Sequence, residues 1–150
     1  MRTLQYCYFA LKSEVVSAEA IADRLGLRPD EATVLGSRDV VRRLPRCHAW
    51  KIVRRSAESV DEQIQHIVGR LAQVRPRVVA LVAEGDVSPV LQVVRYFHHE
   101  QGVQASSEVA SAERQPRPLG WNLSLPVLEF LTSVRAMLDV DEYDLSDEDA

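Results

Sequence analysis

The chain has 150 residues, of which 46% are hydrophobic and 27% charged, and a formal net charge of −4. That length suits one domain with a core of its own, and the composition is that of a globular protein rather than a disordered or fibrous one. No apolar run reaches membrane-spanning length, and the opening residues Met1 to Cys7 lack the apolar core of a secretion signal. A cytoplasmic location is therefore expected, with Cys7 and Cys47 as reduced thiols.

Residues Leu4–Leu11 alternate, with Leu4, Tyr6, Tyr8 and Ala10 on one face and Gln5, Cys7, Phe9 and Leu11 on the other. Both faces are rather apolar, which predicts a central strand. Cys7, Phe9 and Leu11 are read as the outer face, whose need for cover would suit a homodimer. Ser17 caps a short helix, Ala18–Leu25, with Ile21 and Leu25 inward and Gly26 ending it in a left-handed turn. Residues 30–45 have no clear period; Gly36 suits a turn and Pro45 interrupts any strand. His48–Arg54 alternates again, with Trp50 and Ile52 facing the core.

Ser59-Val60-Asp61-Glu62 matches a capping box, and Val60, Ile64, Ile67 and Leu71 form the apolar stripe of the helix it opens. That helix ends near Val74, because the residue before Pro76 is steered out of helical space. A second short helix runs from Pro76 through Val79 and Val82 to Gly85. Pro89–Phe97 is a β-branched strand with proline at its first position. Residues 100–119 carry two prolines and no period, and are read as a mobile insert.

Ser124 and Pro126 then open a helix with Leu128, Leu131 and Val134 on one face. After Arg135 the period becomes two: Ala136, Leu138 and Val140 alternate with Met137, Asp139 and Asp141, as in a strand with one wet face. Residues 146–150 form an acidic tail too charged to fold alone. The expectation is a single α+β domain over residues 1–145. It is a two-layer sandwich with a mainly antiparallel sheet of four or slightly more strands and helices on one face, split βαβ and ferredoxin-like in character.

Several of these pieces, in this order, resemble a bacterial family of small proteins known as domain of unknown function 4279. They are the aromatic strand Tyr6-Cys7-Tyr8-Phe9, the helix Ser17–Leu27, Gly36, Trp50, the run Gly120-Trp121-Asn122-Leu123-Ser124-Leu125-Pro126, and Leu138–Tyr143. The resemblance implies the fold and brings no established activity with it.

Charge is unevenly spread. Arg38, Arg42, Arg43, Arg46, Lys51, Arg54 and Arg55 fall within 18 residues beside one acidic residue, Asp39, whereas residues 139–150 hold seven acidic residues and no basic one. The basic segment has one aromatic residue, Trp50, and matches no nucleic-acid module, so nucleic acid is not the expected partner. His98-His99 and Cys47-His48 supply zinc-type ligands, but neighbours on a strand point to opposite faces and no ligand-spacing motif is present. Cys7 and Cys47 are candidate nucleophiles, and Cys47 sits between Arg46 and His48, but alternating side chains need not converge and no third orienting group or oxyanion loop is visible. No phosphate loop, dinucleotide fingerprint or other cofactor motif appears.

The leading expectation is a non-enzymatic interaction protein, of the immunity type that neutralises a partner protein. It would act through Asp139, Asp141, Glu142 and Asp144 together with Arg42, Arg43 and Arg54. The alternative is a small enzyme or ligand-binding domain with a pocket near Tyr8, Trp50 and His98.

Overall fold

Strand β1 (Arg2–Ser13) is the longest in the sheet and its centre. It lies antiparallel between β3 (His48–Arg55) and β4 (Ser88–His98). A short strand, β2 (Glu31–Thr33), extends the sheet beyond β3, and β5 (Met137–Asp144) runs parallel to β4 on the opposite edge. The order is β2-β3-β1-β4-β5. This computed structural model describes residues 2–36, 47–98 and 119–145.

Four helices pack on one face: α1 (Ala18–Leu25), α2 (Val60–Ala72), α3 (Arg75–Ala83) and α4 (Leu125–Ser133). The protein is thus the expected α+β two-layer sandwich, with one strand more than the four read from the sequence. The extra strand, β2, has three residues, too few to show a period. It is fixed by tertiary bonds: the Asp30 backbone N–H donates to the Lys51 carbonyl at 2.8 Å, and its carboxylate accepts from the Val53 N–H at 2.8 Å. The βαβ unit is β4–α4–β5, whose parallel strands lie side by side. No helix among the described residues is long and apolar enough to cross a membrane.

Local signals act as their chemistry demands. The Ser17 hydroxyl accepts the Ala20 N–H at 3.1 Å, and Gly26 closes α1 at φ 66°. That positive φ favours glycine, and a Cβ there would also displace the Arg77 guanidinium, 2.8 Å away, from the Leu25 carbonyl it binds. Ser59 and Glu62 form the full capping box, and Val60, Ile64, Ile67 and Leu71 are all buried. Ser124 occupies the N-cap of α4 in an extended conformation, yet its hydroxyl makes no capping bond.

The buried face of α4 is Val127, Phe130, Leu131 and Val134, while Leu128, expected inside, is 44% exposed. The buried residues form one i, i+3, i+4, i+7 stripe, and Leu128 lies one position off it. Arg135 takes φ 55°, and the Ala136 N–H reaches back to the Leu131 carbonyl at 2.9 Å, which turns the chain sharply into β5.

The core lies between the helices and the face of the sheet bearing Cys7, Phe9, Leu11, Trp50, Ile52, Leu91 and Val93. Trp50 is fully buried and its indole N–H donates to the Leu27 carbonyl at 3.2 Å. This corrects the expectation for β1. Cys7, Phe9 and Leu11 face the helices, and Tyr6 and Tyr8 occupy the other side. Alternation sorts residues into two sets without saying which set is inside, and a shift of one residue exchanges them.

Candidate functional site

Two surfaces stand out once the helices have claimed one side of the sheet. The first is β5 itself. Every residue from Met137 to Asp144 is exposed, because the strand pairs on one side with β4 and no described strand pairs with the other. Met137, Asp139, Asp141 and Tyr143 alternate on the face away from the helices, and Leu138, Val140, Glu142 and Asp144 on the helix side. Leu138 and Val140 sit opposite the core residues Leu91 and Val93, as their period implied, yet remain 37% and 39% exposed at the sheet edge.

The acidic residues of β5 differ in their engagements. Glu142 accepts from Arg95 at 2.9 Å, and Arg95, buried, also donates to the Leu119 carbonyl at 2.8 Å. The buried Nε of the same guanidinium has no partner. Asp141 accepts from the buried Gln92 side chain at 3.0 Å. Asp139 is exposed in register with Tyr8 across Gln92 of β4, and the Tyr8 phenol is pushed up by burial first, then by Tyr6, Asp141 and Asp139.

The second surface is the face without helices among the described residues. Tyr6 and Tyr8 stack on β1 with ring centroids 6.3 Å apart, and Tyr96 and Tyr143 stack across β4 and β5 at 4.9 Å. Burial first and the neighbouring Tyr96 second push the Tyr6 phenol up, and that proximity sets the two pairs along one aromatic diagonal. On the β3 side, Lys51 and Arg55 each lie 4.7 Å from a ring, over Tyr8 and Tyr6 respectively. Partial burial pulls the Lys51 ammonium below its usual range, against the opposing pull of Glu31.

The residues singled out in the sequence are not all brought together. Asp139 and Asp141 share one face, and Glu142 lies on the other. Arg42 and Arg43 fall outside the described residues, as do the rest of the basic stretch up to Arg46, His99, residues 100–118 and the acidic tail. Arg54 is three strands away from β5, about 14 Å at the usual strand spacing. It is held by Glu58 through two bonds of 2.8 Å, on the helix side. Its place opposite Cys7 sets it on the other face of the sheet from Asp139 and Asp141.

Tyr8 and Trp50 lie on opposite faces, since Trp50 is opposite Leu11 and Tyr8 opposite Val53. They cannot line one pocket. His98 pairs with Arg2, while His48 pairs with Ser13 at the far end of β1, about 36 Å away at the usual rise per residue. That distance also separates the Cys47-His48 and His98 ligand pairs. Clefts of about 620 Å³ beside α1, 510 Å³ on α2, 340 Å³ at Cys47 and 190 Å³ at Arg95 are lined by other residues, and none of the four includes Tyr8, Trp50 or His98. Cys7 is buried in the core, and burial pushes its thiol up to about 12, which leaves it protonated and inert as a nucleophile.

Sequence reasoning missed Tyr96, Tyr143, Lys51, Arg55 and Gln92 as members of one surface. A signal was present: Tyr6 and Tyr8 carry hydroxyls that want water or a partner, whereas Cys7, Phe9 and Leu11 carry nothing that resists burial.

A family model described as Domain of unknown function (DUF4279) matches residues 3–145, and the chain belongs to that family. No curated protein and no solved structure matches it. The run Gly120–Asn122 has a structural task. The Asn122 backbone N–H donates to the Asp61 carboxylate at 2.7 Å and so ties the approach to α4 onto the first turn of α2.

Proposed function

We propose that this protein is a non-enzymatic interaction module that binds another protein along the outer edge of β5. The partner supplies an extended, basic segment. It pairs with the edge backbone, while its side chains alternate between the carboxylates Asp139 and Asp141 on one face and the apolar Leu138 and Val140 on the other. The setting is the cytoplasm, and an immunity-type role, in which the edge occupies a basic cleft of a partner enzyme, suits the charge best.

The observation that carries this reading is the exposure of β5 along its whole length, with Met137 61% exposed and Tyr143 45%. Charges alone would guard a sheet edge against random pairing. Exposed Met137, Leu138, Val140 and Tyr143 on the same strand do the opposite, because they leave apolar area that a partner strand removes from water.

Capture from the native host with the wild-type chain and with Asp139→Lys/Asp141→Lys, followed by mass spectrometry, tests the proposal. The expected result is a basic protein retained by the wild type, released by salt and lost with the variant, with β5 amides protected from hydrogen exchange in the complex. Capture that persists in the variant, with unchanged exchange in β5, would overturn it.

A further inference from the structure

The helix-free sheet face carries a second pattern, which shares Asp139 and Asp141 with the β5 edge. Lys12, Lys51 and Arg55 lie toward its β3 side, and Asp139 and Asp141 toward its β5 side, with the tyrosine diagonal between them. Glu31, paired with Arg55, removes one charge from the basic side and leaves it net positive. We infer that this face packs against the same face of a second copy of the chain, about a two-fold axis parallel to the strands.

The argument is one of symmetry. A two-fold axis along the strands exchanges left and right across the facing sheets, so the Lys51 and Arg55 side of one copy lies over the Asp139 and Asp141 side of the other. A two-fold axis across the strands would stack like charges and is disfavoured. Self-pairing of two β5 edges would also set acidic strand against acidic strand. Face-to-face packing instead leaves the backbone edge of both β5 strands pointing outward, but it occupies Asp139 and Asp141, so it competes with a basic partner for those two carboxylates.

Area and composition agree. Four strand spacings of about 4.8 Å and about eight residues at a rise of about 3.3 Å give a projection of roughly 500 Å² per copy. Ala10, Val90, Gln92 and Val94 on this face are already buried in the single chain, so the pair buries up to roughly 1,000 Å², the low end for a specific interface. Exposed or half-exposed tyrosines with an arginine among them are the residue types enriched in such interfaces.

Sedimentation equilibrium over the micromolar range, with fold checked by circular dichroism, gives the test. Wild type dimerises, and the dimer weakens as salt rises. Lys51→Glu/Arg55→Glu, whose face turns net acidic although Lys12 remains, and Asp139→Lys/Asp141→Lys, whose face turns net basic although Glu31 remains, are each monomeric alone. Mixed, they form a one-to-one dimer, since each now complements the other. A monomeric wild type overturns the inference, and so does a dimer that Lys51→Glu/Arg55→Glu leaves intact. The mixing arm guards against a variant that is monomeric because its fold is damaged: correctly folded variants that do not associate when mixed also overturn it.

Discussion

The Arg95–Glu142 pair offers the sharpest test of how β5 is held. The Arg95 side chain is 7% exposed and Glu142 48%, with 2.9 Å between guanidinium and carboxylate. Arg95 has little other compensation: one bond to the Leu119 carbonyl, the Phe97 ring 4.8 Å away, and an Nε with no partner. Removing one partner of a fully buried pair costs roughly 3–5 kcal/mol, and an exposed pair is worth about 1 kcal/mol or less. Here water reaches the carboxylate but hardly the guanidinium, so Glu142→Ala is expected to cost about 2 kcal/mol, or roughly 4–8 °C in Tm for a chain of this size.

Arg95→Met behaves differently. It removes the buried charge together with the orphaned Nε and keeps the side-chain volume, so it stays within about 1 kcal/mol of wild type. In that background Glu142→Ala costs less than about 0.5 kcal/mol, because the group it would abandon is gone. Urea denaturation of the wild type, both single variants and the double variant reads the cycle. If Glu142→Ala costs the same in both backgrounds, the pair is not coupled and Glu142 is a surface carboxylate like Asp139. If it is coupled, Glu142 anchors β5, and Asp139 and Asp141 remain the carboxylates available to a partner.

Three further outcomes follow from the geometry. With its thiol pushed up to about 12 inside the core, Cys7 is expected to resist a thiol reagent at neutral pH while Cys47 reacts; two fast-reacting thiols in the native protein would contradict the burial. Glu58 is held at about 2 chiefly by its bond to Arg54 and then by Ser56, below its usual value of 4.5. Its contribution is therefore present above about 4.5 and lost as pH falls toward 2. The Tm difference between wild type and Glu58→Gln should shrink across that window, and a difference that is flat with pH would remove the linkage. Arg135, a non-glycine at φ 55°, carries backbone strain, so Arg135→Gly is expected to gain about 1 kcal/mol or roughly 2–4 °C; a loss in thermal denaturation would show that the arginine side chain offsets that strain.

The sequence made most of the helices legible, because their signals are local. Ser17 and Gly26 bound α1, and Ser59 with Glu62 starts α2, through bonds that span four residues or fewer. Ser124 shows the limit of such signals. The residue has the right type and the right backbone, but its hydroxyl does not make the bond. What was not legible depends on partners distant in sequence. β2 exists because Asp30 and Glu31 meet Lys51 and Arg55 some twenty residues on. Arg95 likewise meets Glu142 and the Leu119 carbonyl 47 and 24 residues on.

The candidate site was half legible for the same reason. The acidic alternation of β5 is visible in the chain, so Asp139 and Asp141 were found. The tyrosine face was not, because it required knowing which parity of β1 faces the helices. Chemistry settles that parity. Burying Tyr6, Tyr8 and Lys12 under helices would strand two phenols and an ammonium, each at a cost of a few kcal/mol without a partner. Burying Cys7, Phe9 and Leu11 strands nothing. The polar tips of β1 are thus driven to the outer face. There they meet Lys51 and Arg55 from one neighbouring strand and Tyr96 from the other. The same choice that completes the core also assembles the charged aromatic surface, so the dimer face and the core stand or fall on a single parity.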